Sequence, residues 1–550
     1  MENCKAIPKN KKKEFKTLIV YPNLALMLVP SLAIALFTKI FKKEGYIVDL
    51  FDTTHYISEE NSSPQNRVKF LQARKFSDED DLGIRIKTDL LGDFKRKVTE
   101  YRPDFIIFSV VEDAFRQALK MIESIQDLKI PHLVGGVFPT AAPERCMEYS
   151  SINMIGIGEG EKTIVNVAEA VRLGKSFKNI PNTWFREKDT IYKAPRDTLV
   201  NINDYRADFS LFDEKRFYRP MGGHIFKTIP VETYRGCPYR CTYCNSPMQV
   251  ALAKKSKQGK FLRRTHIHEI RDRLKDLVKL YDPEFFYFVD DSFLARPKKE
   301  ILEFCDMYEE FKLPFWFNTR PENCDSLSLK RLKEVGAYRI SFGIECGNED
   351  FRRQVLKRAN SNEEIVKHFK VIEESGIAFS INLIIGFPGE TRDLIMDTVE
   401  LASIIGGYDS VTVSIFTPYH GTVLREIAVK NGWLDSKLIT THTTSSSILK
   451  MTKPYVSSDD INMLMRVIPL YCYFPKSEWP KIKRAEIDDE EGNKVLTHYS
   501  KIYKENFLKE TQEDNKIMVN GGSGCSSNAK DSFFVYTKPM MPDQLEMLTI

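Results

Sequence analysis

Short apolar runs alternate with amphipathic stretches of helical period along most of this chain, and this alternation restricts the fold more than any other feature. In the N-terminal third, the apolar runs cover residues 17–21, 46–51, 105–111, 132–134 and 153–157. Strands that alternate with helices pair in parallel and bury their sheet between helical layers. Residues 16–175 are therefore predicted to form a Rossmann-like α/β domain, with its ligand beyond the carboxyl ends of the strands.

The alternation restarts at Val231 and continues to residue 435. The strand candidates are residues 231–234, 285–289, 314–318, 338–344, 379–385 and 410–416. Apolar residues spaced three and four apart fill the gaps and predict helices. Six strand–helix units are too few for a closed eight-stranded barrel, so this part of the chain is predicted to form a partial (β/α)6 barrel.

The remaining segments carry weaker patterns. Residues 1–15 are predicted to be a charged tail, 52–95 a polar insertion, and 176–230 an irregular linker between the two α/β units. Residues 436–550 are predicted to be α-rich or mixed, with no assigned fold. A chain of 550 residues is long enough for several separate cores.

Composition and charge exclude several classes of protein. The formal net charge is only +5, and no basic stripe is interleaved with aromatic residues, so no nucleic-acid partner is predicted. The apolar segment 24–37 is interrupted at Pro30 and is shorter than the roughly 20 residues that span a bilayer, so no transmembrane segment is predicted. The ten cysteines form no disulfide-like framework, which indicates a reducing compartment and predicts a cytoplasmic protein.

Three cysteines stand together at the predicted first barrel strand. Cys237, Cys241 and Cys244 have the spacing C-x3-C-x2-C. Three thiolates on one tight loop can hold three irons of a cubane cluster and leave one iron open, whereas most such clusters use four cysteine ligands. An open position is what a catalytic metal needs. A zinc site is the alternative, although Cys305 and Cys324 lack the short spacing that would complete it.

This cysteine loop, with Tyr243 before the last cysteine, resembles that of the radical S-adenosylmethionine superfamily. Four further segments resemble the strand motifs of that family, in the order that the family has them. They are residues 286–293 (FYFVDDSF), 341–348 (SFGIECGN), 384–391 (IIGFPGET) and 417–422 (TPYHGT). Val355–Arg358, which follows the second segment, also fits the family pattern. The last segment departs from the family's Pro-Gly-Thr turn because Tyr419 and His420 precede the glycine.

The resemblance implies a 4Fe–4S cluster on the three cysteines and S-adenosylmethionine on the open iron. An electron from a reducing partner, such as flavodoxin or ferredoxin, then yields a 5′-deoxyadenosyl radical that takes hydrogen from a small-molecule substrate. Asp290 and Asp291 are candidates for the methionine amino group, although a Gly-Gly-Glu turn is usual there. Arg320 is a candidate for the methionine carboxylate, and Gly386, in the fifth-strand turn, is a further candidate for binding the cofactor.

Glu345 is a candidate for the ribose hydroxyls or the methionyl end of the cosubstrate, because carboxylates accept hydrogen bonds from such donors. The alternative is an ion pair at the strand end with Arg320 or Arg339.

The N-terminal domain resembles the cobalamin-binding domain found ahead of many radical barrels. The residues that carry this likeness, and that are candidates for binding cobalamin, are Pro22, Gly135, Gly136, Pro139, Gly158 and Glu159. The motif Asp-x-His-x-x-Gly, which coordinates cobalt from below, is absent, and both His55 and His132 have other neighbours. The alternatives are a scaffolding Rossmann-like domain and a nucleotide site, although no G-x-G-x-x-G follows the first strand.

Three functions follow from these resemblances. The first is a cobalamin-dependent methyltransferase that acts on an unactivated carbon or phosphorus. The second is a radical cyclase or oxidoreductase resembling the anaerobic magnesium-protoporphyrin ester cyclase. The third, from a different class, is a non-catalytic cobalamin or iron–sulfur sensor. Methylthiolation is disfavoured because the seven remaining cysteines do not group into a second cluster site.

Overall fold

Two seven-stranded sheets organise the molecule. The structure is a computed structural model that describes residues 12–24, 29–57, 64–74, 81–221, 224–442 and 446–508. The predictions for residues 1–11 and 509–550 lie outside these ranges. The strands of the first sheet are β1 (Lys16–Tyr21), β2 (Ile47–Asp52), β3 (Phe105–Ser109), β4 (His132–Gly135), β5 (Met154–Gly156), β6 (Thr183–Glu187) and β7 (Thr190–Lys193).

The first sheet has the order β2-β1-β3-β4-β5-β6-β7, with β1 to β5 parallel and β6 and β7 antiparallel. Its helices are α1 (Leu32–Glu44), α2 (Pro64–Lys69), α3 (Leu90–Tyr101), α4 (Phe115–Ser124), α5 (Val137–Ala141), α6 (Pro143–Met147) and α7 (Thr163–Leu173). Ser31 caps the start of α1 and Gly45 ends it in the left-handed region. The Rossmann-like prediction is confirmed.

The second sheet forms the predicted half-barrel. Its strands are β8 (Tyr218–Met221), β9 (His224–Val231), β12 (Phe285–Phe288), β13 (Phe315–Thr319), β14 (Ala337–Glu345), β15 (Ala378–Ile385) and β16 (Ser410–Ile415), and β10 (Tyr234–Arg235) pairs separately with β11 (Arg263–Arg264). The order is β16-β15-β14-β13-β12-β9-β8. All neighbours are parallel except β8 and β9, so six parallel strands form the partial barrel.

The half-barrel carries its helices on the outer face. They are α8 (Ser246–Lys255), α9 (Ile267–Tyr281), α10 (Lys298–Tyr308), α11 (Ser326–Val335), α12 (Glu349–Gln354), α13 (Asn362–Glu374), α14 (Arg392–Ile405) and α15 (Val423–Lys430). Alternate strand residues such as Phe288 and Phe315 are buried against Phe304 of α10. Because strand side chains alternate between faces, the intervening residues point into the barrel.

Two predictions differ from the structure. The first barrel strand was predicted at residues 231–234 but lies at His224–Val231, where Lys227 and Pro230 interrupt the apolar run. Residues 176–230, predicted to be an irregular linker, contain β6 to β9. Of these, β6, β7 and β8 are short, largely half-exposed and pair antiparallel at or next to a sheet edge, so their sequences lack the buried apolar runs of the central strands.

The described C-terminal residues are helical. They form α16 (Ser458–Met465), α17 (Ile468–Tyr473), α18 (Trp479–Ile482) and α19 (Glu490–Tyr503). Tyr471 and Cys472 of α17 are buried in the same core as the half-barrel. The α-rich prediction is thus confirmed for these residues. None of the helices in the described part of the chain combines the length and apolar character needed to cross a membrane.

Part of the polar insertion closes the open edge of the half-barrel. Phe70 and Leu71, which follow α2, are buried in the barrel-side core. The Oε1 atom of Gln72 accepts a hydrogen bond of 3.1 Å from the backbone N–H of Val413 on the edge strand β16. An edge strand presents unpaired backbone groups, and this contact satisfies one of them.

Candidate functional site

A cavity of about 420 Å³ lies between the two sheets, at the carboxyl ends of their parallel strands. From the first sheet, Ser109 of β3, Gly135 of β4 and Gly156 of β5 line it. From the barrel side, Tyr234 and Gly236 of the segment that leads into the cysteine loop line it. Strand ends are where open α/β sheets bind ligands, and here both sheets open onto the same cavity.

Glycines form the floor of this cavity on the side of the first sheet. A Cβ atom on Gly136 would lie 2.4 Å from the carbonyl oxygen of Val110, and one on Gly160 would lie 2.6 Å from the ring of Phe37. At Gly135 the nearest such atom is the carbonyl oxygen of Gly156, 4.0 Å away, so this residue opens directly onto the cavity. A floor of bare backbone suits a broad, flat ligand.

Two of the predicted cobalamin-binding residues lie away from the cavity. Pro22, after β1, and Pro139, within α5, are both buried and are not among the lining residues. Neither residue is therefore placed to touch a ligand in this cavity. By contrast, Gly135, Gly136, Gly158 and Glu159 all line the cavity.

Glu159 lines the cavity, but its carboxylate is already engaged. It accepts hydrogen bonds from Arg235 Nη1 at 3.0 Å and from Arg263 Nη1 at 3.1 Å. Arg235 also binds Glu161 at 2.6 Å and Glu232 at 3.0 Å. This network joins the strand ends of the first sheet to the first barrel strand. Sequence reasoning missed Arg235, although it lies next to Gly236 in the cysteine loop.

The cysteine loop presents three free thiols. Cys237 and Cys241 are half-buried and Cys244 is exposed, with the backbone N–H of Ser246 donating to Cys244 Sγ at 3.4 Å. Among the described residues, no three Cys, His, Asp or Glu side chains are gathered around a position for a single metal ion. A cubane cluster does not need its ligands around a single point, because each thiolate binds a different iron. Three free thiols in one loop at a strand end fit that requirement.

The structure separates the predicted carboxylate pair. Asp290 is buried and accepts hydrogen bonds from the backbone N–H groups of Thr233 at 2.7 Å and Tyr234 at 3.0 Å, and it pairs with Arg296. Asp290 therefore anchors the start of the cysteine loop. Asp291 lines the cavity and accepts from Ser246 Oγ at 3.2 Å. Consecutive residues after a strand point to opposite sides, so only Asp291 faces the site.

Arg320 lies against the cysteine loop. Its Nη2 donates to Cys241 Sγ at 2.6 Å and its Nη1 donates to Glu322 at 3.2 Å. The guanidinium carbon is 3.5 Å from the centre of the Tyr239 ring, a cation–π contact. Burial raises the pKa of the Cys237 thiol, whereas the charge of Arg320 acts in the opposite direction. Arg320 therefore brings a positive charge to Cys241 and Tyr239 of the cysteine loop, and its role toward the methionine carboxylate stays a prediction.

Glu345 lies at a distortion of β14. Its φ of 67° is left-handed, and the register of β14 with β15 shifts between Gly343 and Glu345. Its carboxylate pairs with Arg358 at 3.2 Å, not with Arg320 or Arg339, and Arg339 instead pairs with Asp409. Burial raises the pKa of Glu345 despite Arg358. Strained, buried groups of this kind collect at functional sites.

The fifth-strand turn contains a buried acid that sequence reasoning had quoted but not selected. Gly386 has φ of 80°, and its N–H donates to Glu390 Oε2 at 2.6 Å, as does that of Phe387 at 3.1 Å. The other oxygen of Glu390 is buried without a hydrogen-bond partner. Burial raises the pKa of Glu390 to about 8. The carboxyl group is therefore largely protonated at neutral pH and closes the turn that positions Gly386.

The unusual sixth-strand turn docks onto the N-terminal sheet. His420 contacts Glu112 through Nδ1 at 2.7 Å and through its backbone N–H at 2.8 Å. The hydroxyl group of Tyr419 donates to Asp113 at 2.9 Å. The two residues that depart from the family's turn therefore fasten the last barrel strand to the loop after β3.

Comparisons with known proteins agree with this architecture. The family model of the Radical SAM superfamily matches residues 231–402, and that of the B12 binding domain matches residues 68–168. An uncharacterized methyltransferase of Pyrococcus horikoshii is 24% identical over 410 residues, covering 73% of this chain and 84% of the relative. The cytidylyl-2-hydroxyethylphosphonate methyltransferase of Streptomyces wedmorensis is 21% identical over 388 residues, covering 62% of this chain and 70% of the relative.

A solved structure shares the fold. The cobalamin-dependent S-adenosylmethionine radical enzyme OxsB, with aqua-cobalamin and S-adenosylmethionine bound, superposes with a TM-score of 0.60. The match covers 90% of this chain and 72% of OxsB at 14% identity. The B12-binding match spans β3 to β5 of the first sheet, and the Radical SAM match runs from the end of β9 through β15 of the second. The chain therefore contains a radical S-adenosylmethionine domain, which implies a 4Fe–4S cluster and S-adenosylmethionine, and a B12-binding domain, which implies cobalamin.

Proposed function

We propose that this enzyme is a methyltransferase that acts on an unactivated carbon or phosphorus of a small molecule. The observation that carries the proposal is the shared cavity, in which glycines at the ends of the first sheet face Gly236 and Asp291 beside the cysteine loop. A methyl donor on one wall can thus meet a substrate radical formed at the other. Both relatives described above bear the name of methyltransferase.

Within this proposal, Cys237, Cys241 and Cys244 hold the cluster. Asp291 receives the methionine amino group and Arg320 the carboxylate, because each presents the opposite charge at the edge of the loop. Glu345 accepts from the ribose hydroxyls, with Arg358 fixing its orientation. Asp290 supports the loop from behind and has no direct role, since four donors already engage it.

The glycine floor holds the corrinoid ring. When they are bound, the cluster and S-adenosylmethionine supply a radical that abstracts hydrogen, and the corrinoid supplies the methyl group. Arg235 keeps the two walls in place through its bonds to Glu159, Glu161 and Glu232. None of the eight described cysteines is in a disulfide, which fits the reducing cytoplasm, where a flavodoxin or ferredoxin would deliver the electron.

Anaerobic turnover tests the proposal. The reconstituted protein would be incubated with hydroxocobalamin, dithionite and S-adenosylmethionine, and the nucleoside products separated by chromatography. We expect both 5′-deoxyadenosine and S-adenosylhomocysteine. 5′-Deoxyadenosine alone would favour the cyclase or oxidoreductase reaction instead. A purified protein that repeatedly fails to bind hydroxocobalamin would contradict the methyltransferase reaction but leave the radical chemistry in place.

A further inference from the structure

The inner face of the half-barrel is polar and reaches solvent. Asn318, Ser341 and Ser380 stand side by side on β13, β14 and β15, because they are register partners in parallel strands. One step further along, Asn382 of β15 is paired with Thr412 of β16, and both are half-buried. Closed barrels of this class fill their interior with branched apolar side chains. Here the interior is lined by hydrogen-bonding groups.

A cation, Arg219, stands in this interior with no anion beside it in the described part of the chain. Arg219 of β8 lies over two stacked rings, with its guanidinium carbon 5.0 Å from the centre of Trp316 and 5.6 Å from that of Tyr287. Its Nε and Nη1 atoms are buried and have no hydrogen-bond partner. Among the described residues, no carboxylate lies within ion-pair distance of Arg219. In contrast, Arg339 and Arg358 of the same barrel each have a carboxylate partner.

The surroundings of Arg219 add positive charge rather than neutralise it. Burial is the main cause that lowers the pKa of Arg219 to about 10; Tyr287 acts in the opposite direction, and the nearby charge of Arg67 adds to the lowering. Burial and Arg67 likewise lower the pKa of His442, to about 4. Arg67 lies on α2, whose following residues close the barrel edge, so the insertion brings a second cation to the same place. A buried cation without a counter-charge costs stability, and a protein that retains one gains something else from it.

We propose that Arg219, together with Arg67, binds an anionic group of the substrate inside the half-barrel. The ligand class is a carboxylate, phosphate or phosphonate, whose oxygens accept from the unpartnered guanidinium nitrogens. The guanidinium lies over the stacked rings of Tyr287 and Trp316, which hold it in place. This inference rests on the proposed function, since it names the class of substrate for the same site. It agrees with a relative that methylates a phosphonate.

The position of Arg219 also predicts the shape of the substrate. Trp316 lies three residues before Thr319, the last residue of β13. At roughly 3.3 Å per residue, the anion would lie about 10 Å below the strand ends. The reacting atom must lie at the strand ends, beside the cysteine loop. The substrate is therefore elongated, with its anionic end in the barrel and its reacting end in the cavity.

Calorimetric titration of the reconstituted, corrinoid-loaded enzyme tests this site. The probes are inorganic phosphate, methylphosphonate and acetate at constant ionic strength. We expect saturable one-to-one binding of at least one probe to the wild type. Arg219→Gln should weaken it about tenfold to a hundredfold, the loss expected for hydrogen bonds to a charged group, and Arg219→Lys should weaken it less. The matched control is Arg353→Gln, at an exposed helical ion pair.

Other results would overturn the proposal. They are the absence of saturable binding of any probe to the wild type, or an Arg219→Gln variant with wild-type affinity. If Arg219→Gln also lost affinity for S-adenosylmethionine, Arg219 would bind the carboxylate of the cosubstrate. That result would overturn the proposal as well. Melting curves provide a second measurement, because the bound anion should raise the melting temperature of the wild type and not of Arg219→Gln. None of these readouts needs turnover, so failure of the proposed methyl transfer remains distinguishable.

Discussion

Arg320 donates a hydrogen bond from Nη2 to Cys241 Sγ at 2.6 Å, while its guanidinium lies over the ring of Tyr239. This contact joins the end of the third parallel barrel strand to the cysteine loop that follows the first. The guanidinium places a positive charge beside one of the three cysteines proposed to hold the cluster, whose ligands are negatively charged thiolates.

Replacing the middle cysteine should remove the cluster. We expect Cys241→Ala to lose the visible absorbance of the iron–sulfur cluster and to form no 5′-deoxyadenosine, because one iron loses its only protein ligand. Cys305→Ala is the control, since Cys305 is buried in α10 away from the loop. A Cys241→Ala protein that keeps both the absorbance and the product would refute the assignment of the cluster ligands.

The glycine floor predicts a graded loss of corrinoid binding. Gly135 opens onto the cavity, so Gly135→Leu should fill the space that the ring needs, while Gly135→Ala should have a smaller effect. Titration with hydroxocobalamin, followed by its visible spectrum, measures the binding. Gly135→Ala should melt close to the wild-type temperature because its Cβ atom would lie 4.0 Å from the nearest protein atom, and a melting curve of Gly135→Leu checks that it is folded. Equal corrinoid affinity in all three proteins would mean that the ring binds elsewhere.

The network around Arg235 predicts a large stability effect. Arg235→Gln leaves Glu161 and Glu232 without their shared cation, and breaking a buried ion network by removing one partner costs about 3–5 kcal/mol. Urea denaturation followed by circular dichroism gives the free energy of unfolding. The exposed pair of Arg353 with Glu349 serves for comparison, since Arg353→Gln should cost no more than about 1 kcal/mol. Similar losses for both variants would show that Arg235 does not join the two sheets.

The buried acid of the fifth-strand turn predicts a pH dependence. The pKa of Glu390 is about 8 in the folded protein and 4.5 for the ordinary group, so between these values the folded state binds more protons than the unfolded state. Stability contributed by the protonated acid is therefore present below about pH 4.5 and falls as the pH rises toward 8, by at most about 1.4 kcal/mol per pH unit.

Glu390→Gln mimics the protonated acid and should remove that part of the pH dependence. At about pH 8 the variant should be more stable than the wild type, whereas at about pH 5 the two should be similar. Thermal melting at several pH values measures the difference, with Glu363→Gln on the exposed face of α13 as the control. A pH profile of Glu390→Gln parallel to that of the wild type would contradict a protonated Glu390.

Much of the fold could be predicted because the local pattern of residues suffices for it. The strand predicted at 379–385 is Ala378–Ile385, and that predicted at 410–416 is Ser410–Ile415. Both are parallel strands with apolar residues bounded by turn residues, and β16 keeps this pattern although it lies at the edge of the sheet. The strand at His224–Val231 was misplaced because its first half is half-exposed and polar. Antiparallel edge strands carry the weakest signal of this kind.

For the candidate site too, some features follow from the local sequence and others only from the tertiary structure. The spacing of Cys237, Cys241 and Cys244 by itself determined that three thiols would share one loop, because that is a property of neighbouring residues. Only the tertiary structure decided that Asp291 faces the cavity while Asp290 anchors the loop, that Arg358 pairs with Glu345, and that Arg219 is left without a carboxylate. The physical reason is that sequence patterns encode period and turns, whereas charge pairing depends on which distant strands and helices pack together.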